Sequence, residues 1–429
     1  MNLLHDYECG TSDHFSRRTL LKTAGLSSLS WLTPMADVLA TNAEKTPDLA
    51  KSIIILWLNG GPSQIDTFDP HPGKKIAADS KAIETSKKGV FVNEHLPQTA
   101  EMMGDISLVR SVVSREGDHE RAIYNIKTGY RPVPGVVHPA IGSIVCHEMP
   151  RPNIDIPTHI SILPGQFPSR GGFLGAQYDA FKMGDPTQPV PDLKARVGED
   201  RQKARLESLE VVEKRFHRGR SETLAKTRTL HSDMMKQARK MMTSEQLDAF
   251  NVNDVPKSER EPFGDTPFGR GCLAAIRLVE AGVRCVEVTL SGWDTHVDNT
   301  NLTSERTKIL DPAFASLIKS LKDRGLYDNT VVLCGGEFGR TPHLNPADGR
   351  DHWPHGFSMA IGGGGIAGGR VIGETDPNGE KKDPAGRINV QDVHATIQYA
   401  FGIESDRQII TPAKRPIKLS DGFVIDELL

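Results

Sequence analysis

Three short segments place carboxylates beside imidazoles at spacings that suit a divalent ion. The first reads Ser291-Gly292-Trp293-Asp294-Thr295-His296-Val297-Asp298-Asn299, the second Gly335-Gly336-Glu337-Phe338-Gly339-Arg340-Thr341-Pro342, and the third Gly349-Arg350-Asp351-His352-Trp353-Pro354-His355-Gly356. Asp and Glu oxygens neutralise a hard cation, and neutral imidazoles bind zinc-like ions well. Together they nominate Asp294, His296, Glu337, His352 and His355 as ligands of zinc, manganese or calcium. One Asp-x-His is ordinarily a surface turn, so the weight of the reading lies in three clusters converging.

Convergence requires a scaffold, and the apolar runs supply one. Ile53 to Leu58, Ile106 to Val113, Ile160 to Leu163, Val283 to Leu290 and Thr330 to Cys334 read as strands buried on both faces. Helical patterns at Phe268 to Ala281 and Pro312 to Arg324 lie between several of them. Alternation of this kind predicts an α/β sheet with helices on both sides, whose ligands bind at the carboxyl ends of the strands. Two of the chemical clusters follow directly on such strands. Asp294, Glu337 and His352 are therefore expected to face one pocket. Residues about 199 to 252, rich in charge with Leu206, Leu209, Val212 and Phe216 at helical spacing, predict a helical hairpin inserted in the domain. Ile361 to Gly369, with its glycine run, reads as a turn-rich connector; it has neither dinucleotide-loop nor P-loop spacing.

The composition limits the function classes. The chain has 429 residues, with 52 Lys and Arg against 55 Asp and Glu, for a formal net charge of -3. Such a balance argues against a bulk nucleic-acid or anionic-membrane surface. The longest apolar stretch, Ile53 to Leu58, is far too short to span a bilayer. Four cysteines lie beyond the first 40 residues, Cys146, Cys272, Cys285 and Cys334, with no CxxC pair, and read as core residues; export would still permit one disulfide. Ser16-Arg17-Arg18-Thr19-Leu20-Leu21-Lys22, followed by a weakly apolar run and small residues near Ala40, has the parts of a twin-arginine leader over residues 1–40. The reading implies handling by the twin-arginine export machinery and a periplasmic or extracellular home for a domain over 45–429.

Trp57-Leu58-Asn59-Gly60-Gly61-Pro62-Ser63-Gln64-Ile65-Asp66-Thr67-Phe68-Asp69-Pro70, taken with Gly292 to His296, Gly336 to Pro342 and Gly349 to His355, resembles the domain of unknown function 1501 family. The resemblance covers essentially the whole chain after the leader. That family is similar to the alkaline phosphatase–sulfatase superfamily. The resemblance thus implies an alkaline-phosphatase-like fold, a mixed and mostly parallel sheet with helices on both faces, bearing one or two metals and a nucleophile at a helix N-terminus. By that resemblance Glu337 falls near the first ligand of one superfamily site, but Phe338 stands where the second would be, and Asn59 stands where the superfamily supplies an Asp. The other site is served by Asp294, His296 and either His352 or His355, so one metal is expected rather than two.

Asp118-His119-Glu120-Arg121-Ala122 to Thr128-Gly129 resembles the superfamily's nucleophile helix, yet no Ser, Thr or Cys opens it, and the sulfatase CxPSR signature is missing. His119 could act there as nucleophile or general base, or Asp118 could merely cap the helix. Arg121 or Arg340 would offset charge developing on an ester oxygen. The expectation is an exported, metal-dependent hydrolase of a phosphate or sulfate ester, on a small molecule or a polysaccharide, with water on the metal as one route to a nucleophile. The alternative is a catalytically degenerate binding protein of the cell envelope that retains the fold.

Overall fold

The computed structural model describes residues 49–429 except 151–152, 192, 194–196 and 219–229, so the expected leader lies outside the described residues. Leu49–Leu429 forms one compact unit. Its centre is a nine-stranded sheet of β1 (Ser52–Asn59), β2 (Ile106–Val113), β3 (His159–Ile162), β4 (Phe181–Met183), β5 (Cys285–Ser291), β6 (Thr330–Gly335), β7 (Phe357–Gly362), β8 (Val371–Ile372) and β9 (Ile388–Asn389). The spatial order is β8-β2-β7-β6-β1-β5-β3-β4, with β9 beside the far end of β2. β7 runs antiparallel to both β2 and β6, and the other pairings are parallel. The expected mixed, mostly parallel sheet is present.

Successive side chains of a strand point to opposite faces, and β1 shows what that does here. Ile54, Leu56 and Leu58 enter one core with α5 (Pro267–Glu280) and α6 (Asn299–Asp323). Ile53, Ile55 and Trp57 enter a second core on the other face, with α1 (His119–Thr128), α2 (Ile141–Glu148) and α7 (Val390–Ala400). Both faces of the strand are thus buried, which is why its sequence reads as a continuous apolar run. Cys272 and Cys334 lie in the first core, Cys146 and Cys285 in the second. All four are buried free thiols, and burial pushes each one's pKa up. The inserted segment contains α3 (Glu199–His217) and α4 (Leu230–Met242), followed by a turn whose Phe250 enters the first core.

Two expectations need correction. Ile361 and Gly362 are not connector but the end of β7, and the turn begins only at Gly363. The helix expected from Pro312 begins at Asn299 and carries that proline in its interior.

The placement of α1 matters most, because it presents His119. The Asp118 side chain caps it, accepting from the Arg121 N–H at 3.2 Å, and left-handed Gly129 (φ 77°) closes it. A Cβ on Gly129 would lie 3.1 Å from the His394 ring. Its lack lets α7 approach, and His394 Nε2–H donates to Ile126 O at 2.7 Å. Further along α1, Lys127 Nζ donates to Glu287 Oε1 on β5 at 2.9 Å, and Ser161 and Ser169 hydroxyls donate to the same carboxylate.

Burial of His394 pushes its pKa down to about 4. The unfolded chain binds that proton from about pH 6.5 and the native state only near pH 4, so stability is intact above 6.5 and drains away between these values. The loss amounts to ~3 kcal/mol at pH 4. His394→Gln, which keeps an N–H donor, is expected to show a smaller fall in urea midpoint between pH 7.5 and 4.5 than the unmodified chain. Equal falls in the two proteins would contradict this.

Candidate metal centre

At the carboxyl edge of the sheet, β1 and β5 end together, with Asn59 opposite Ser291, and β6 ends alongside, with Gly335 opposite Trp57. Beyond β5, the Trp293 side chain is fully buried and drives the chain down so that Asp294 emerges at the rim, its own side chain 47% exposed. Gly60 makes this turn possible. It sits at φ 119°, and a Cβ there would lie 2.5 Å from the Asp294 nitrogen. Beyond β6, Glu337 turns inward and is fully buried, accepting the Gly60 N–H at 2.9 Å. The third segment returns as a two-residue ladder in which His352 pairs with Arg340.

Three imidazoles converge on Asp294. His119 directs Nδ1 to Glu337 Oε1 at 2.8 Å, so that this nitrogen donates, and leaves Nε2 3.4 Å from Asp294 Oδ2. His352 donates Nδ1–H to the Gly117 carbonyl at 2.8 Å and sets Nε2 3.4 Å from Asp294 Oδ1. His296 donates Nδ1–H to Asp351 Oδ1 at 2.8 Å and sets Nε2 3.1 Å from Asp294 Oδ1 and 3.0 Å from His352 Nε2. One atom from each of His119, Asp294 and His352 can be chosen so that all three lie within 4.8 Å of one another. The Phe338 ring packs tilted against two of them, its centroid 4.4 Å from that of the His352 ring and 5.0 Å from that of His119.

In each ring the Nδ1 partner is a carbonyl or a carboxylate, which only accepts. Each neutral ring therefore carries its proton on Nδ1 and a lone pair on Nε2. Three lone pairs face a carboxylate, and two of them face each other. The Arg340 guanidinium already meets that carboxylate from one side, 2.5 Å from Oδ1, but it leaves the three Nε2 atoms without a donor or cation between them, a gap that an ion among the four groups would fill. A proton would relieve a single contact: the hydrogen bond to Glu337 favours one on His119, and burial disfavours one on His352. Two buried atoms repeat the signal: His119 Nε2 and Glu337 Oε2 have no hydrogen-bond partner. The residues fit a divalent ion, and the Nδ1 partners are the orienting groups that metal-bound histidines ordinarily have.

The electrostatics of Asp294 agree. Burial works to raise its carboxyl, but the Arg340 guanidinium, with His119 and His296, outweighs this and holds it below the usual carboxylate range. His119 is raised, chiefly by its hydrogen bond to Glu337.

Not all the expected residues join the cluster. Arg340 is fully buried and its donors are committed, to Asp294 Oδ1 at 2.5 Å, Gly61 O at 2.9 Å, Arg350 O at 2.9 Å and Gly60 O. Four of its N–H groups are bonded to the protein and none of its surface reaches solvent, so it is spent on the protein itself. Arg121 pairs with Glu116 at 2.7 Å and stays half exposed. His355 packs edge-on against Trp353 at 4.9 Å, apart from the cluster. Three contributors escaped the sequence reading. Asp351 and the Gly117 carbonyl orient two of the rings, and Asp66 takes Arg350 Nε at 2.9 Å and Asn299 Nδ2 at 2.7 Å beneath them. Asp351 had a legible signal, a carboxylate immediately before a candidate ligand.

Residues 50–429 match the family described as protein of unknown function (DUF1501), and the chain belongs to that family. No curated protein matches the sequence. Among solved structures, a sulfatase from Pseudoalteromonas sp. is similar at 10% identity, over 85% of this chain and 70% of that one, with a TM-score of 0.39. The C-terminal periplasmic domain of EcEptC from Escherichia coli, solved in complex with zinc, is similar at 9% identity, over 89% of this chain and 96% of that one, with a TM-score of 0.39. A lipoteichoic acid synthase from Listeria monocytogenes is similar at 12% identity, over 84% and 74%, with a TM-score of 0.38. The meaning of the site rests on its own side chains.

Proposed function

We propose that this DUF1501 protein is a metal-dependent hydrolase of phosphate or sulfate esters, with one divalent ion held by Asp294, His119, His296 and His352. The observation that carries the reading is the convergence of three Nε2 lone pairs on one carboxylate. The donor set, three nitrogens and one oxygen, favours zinc over calcium. Held by these residues, such an ion would supply polarisation of an ester oxygen and a bound water with its pKa lowered towards ~7.

The protein's own groups then have distinct tasks. Glu337, Gly117 and Asp351 lock the three rings in one tautomer, and Arg340 fixes Asp294 from below. His119 is held on one nitrogen and aimed at Asp294 with the other, so it serves as a ligand in place of the nucleophile or base its position at the helix start suggested. Arg121, two residues on, half exposed but paired with Glu116, is the cation we assign to charge developing on the ester. No serine, threonine or cysteine opens α1, so water supplies the nucleophile. The ester class comes from the motif resemblance to the alkaline phosphatase–sulfatase superfamily, and the substrate is a small molecule or a polysaccharide bearing such an ester.

Metal analysis of the purified protein, with a panel of aryl phosphates and aryl sulfates, tests this. Near-stoichiometric zinc, manganese or calcium with turnover of one ester class is expected. Metal without turnover would move the reading to the envelope binding protein, and neither would end it.

Export by the twin-arginine route is part of the same proposal, and rests on Arg17, Arg18 and the apolar run that follows. Replacing both arginines with lysine is expected to retain the protein inside the cell, and fractionation that finds it outside would remove the assignment. No helix among the described residues is long and apolar enough to cross a membrane.

A further inference from the structure

The residues that follow β1, Gly60-Gly61-Pro62-Ser63-Gln64-Ile65-Asp66, belong to a run that carries the family resemblance, yet no side chain among them bonds to a metal ligand. Two of them reach instead into all three segments that surround the cluster. Gln64 Nε2–H donates to Arg340 O, and its Oε1 accepts the Arg340 N–H, each at 2.9 Å. One carboxamide thus takes up both main-chain groups of the residue that holds Asp294 and stands opposite His352. Asp66 Oδ2 accepts three donors: the Ser63 hydroxyl at 2.5 Å, Asn299 Nδ2–H at 2.7 Å and Arg350 Nε–H at 2.9 Å. Ser63 lies in the same turn, but Asn299 and Arg350 come from the first and third segments. These two are also tied to each other through Thr295, whose hydroxyl donates to Asn299 Oδ1 at 2.7 Å and whose carbonyl accepts the Arg350 N–H at 2.9 Å. Thr295 stands between Asp294 and His296, and Arg350 directly precedes Asp351 and His352.

Gln64, Asp66, Thr295, Asn299, Arg340 and Arg350 are all buried, and none has a buried side-chain polar atom without a partner. In the layer above, His119 Nε2 and Glu337 Oε2 have none. The lower layer is complete in itself while the upper one is open. A buried ion pair such as Asp66–Arg350 adds little net stability over apolar side chains of similar volume. What a fully satisfied buried network does confer is a single rigid arrangement. Ligands of an ion need that, because a site works only when they are held within about 0.5 Å of the productive geometry.

We propose that Gln64 and Asp66 are positioning residues that set the spacing of Asp294, His296 and His352, so that these three are already in place before an ion arrives. His119 lies outside their reach, on α1, where Glu337 orients it. The role rests on the metal reading of the cluster, and belongs to residues which that reading leaves without a task.

Zinc affinity of the full chain, by competition with a chromophoric chelator, and the absorption spectrum with cobalt(II) test this. Gln64→Met keeps the length without the amide, and Asp66→Asn keeps the shape without the charge. Each is expected to bind zinc about ten- to hundredfold more weakly than the unmodified chain. Each should also shift the cobalt(II) bands, which report ligand geometry and do not follow stability. Asp311→Asn is the control. Asp311 is a buried carboxylate of α6 that accepts the Gln98 and Thr99 N–H groups at 3.0 and 2.7 Å. It lies about 18 Å along the helix from Asn299. That variant should lose urea midpoint but keep the parental zinc affinity and spectrum. Should Asp66→Asn fail to fold with Arg350 left unpaired, Gln64→Met decides alone, since it changes no charge. Parental affinity and spectrum in Gln64→Met and Asp66→Asn, or an equal loss in Asp311→Asn, would overturn the role and leave the metal reading intact. An unmodified protein that binds neither ion would end the metal reading and this role with it.

Discussion

Asp294→Ala is expected to empty the metal centre and abolish ester hydrolysis. Asp294 is the group on which all three imidazoles converge, and the sole carboxylate they share. Removing it takes away the negative charge that makes the cluster attractive to a divalent ion and leaves three neutral nitrogens. Asp294→Asn separates charge from shape, because its oxygen can still accept from Arg340 while the site loses a full negative charge. It should fold normally and also lose the metal. Glu337→Gln probes the next layer, since Glu337 acts through His119 and not on the ion. Its expected effect is a loss of metal affinity of about ten- to hundredfold, with turnover recovered at high metal concentration. Metal content by mass spectrometry and aryl ester turnover, measured for all three, check the ordering. Retention of stoichiometric metal by Asp294→Ala would show that the ion, if any, sits elsewhere.

The elements that could be read from the sequence were those with a one-dimensional signature. β1 and β6 lie inside the sheet with both faces covered, so Ile53 to Leu58 and Val331 to Cys334 are continuous apolar runs. β8 and β9 have two residues each, too few for any pattern, and β7 (Phe-Ser-Met-Ala-Ile-Gly) merges into a glycine run that hides its end. Pro312 looked like a helix start because proline fits the first turn, whereas α6 carries it inside.

The site divides in the same way. Asp294, Glu337 and His352 were expected together because they follow strands or lie near their ends, and they do share one rim. The choice between His352 and His355 could not be made, because it depends on the ladder that sets His352 opposite Arg340, a contact between segments. The jobs of Glu337 and Arg340 were hidden for a related reason. Sequence reveals a residue's type and strand end, but whether a carboxylate meets an ion or an imidazole, and whether a guanidinium faces a pocket or the backbone, depends on where the neighbouring chains run.

Arg340 provides the second large effect. It is fully buried, and its guanidinium satisfies the carbonyls of Gly60, Gly61 and Arg350 as well as Asp294. Burial works to lower its proton affinity, and the Asp294 carboxylate opposes that. In Arg340→Leu the apolar side chain fills much of the volume but offers no donor, so three carbonyls and a carboxylate lose their partner in the turn that defines the rim. Asp294 is half exposed, so water takes up part of its loss, but each buried carbonyl left without a donor costs about 1–3 kcal/mol. A bound ion partly offsets the loss by giving Asp294 another cation. The variant should therefore unfold at markedly lower denaturant than the unmodified protein, and the difference should widen when chelator strips the metal. Arg340→Lys retains a charge but cannot reach four acceptors in a planar fork, and should fall between the two. Paired urea titrations with and without chelator measure both the loss and its dependence on metal. An Arg340→Leu protein as stable as its parent in chelator would mean that this guanidinium is not what holds Asp294 in place.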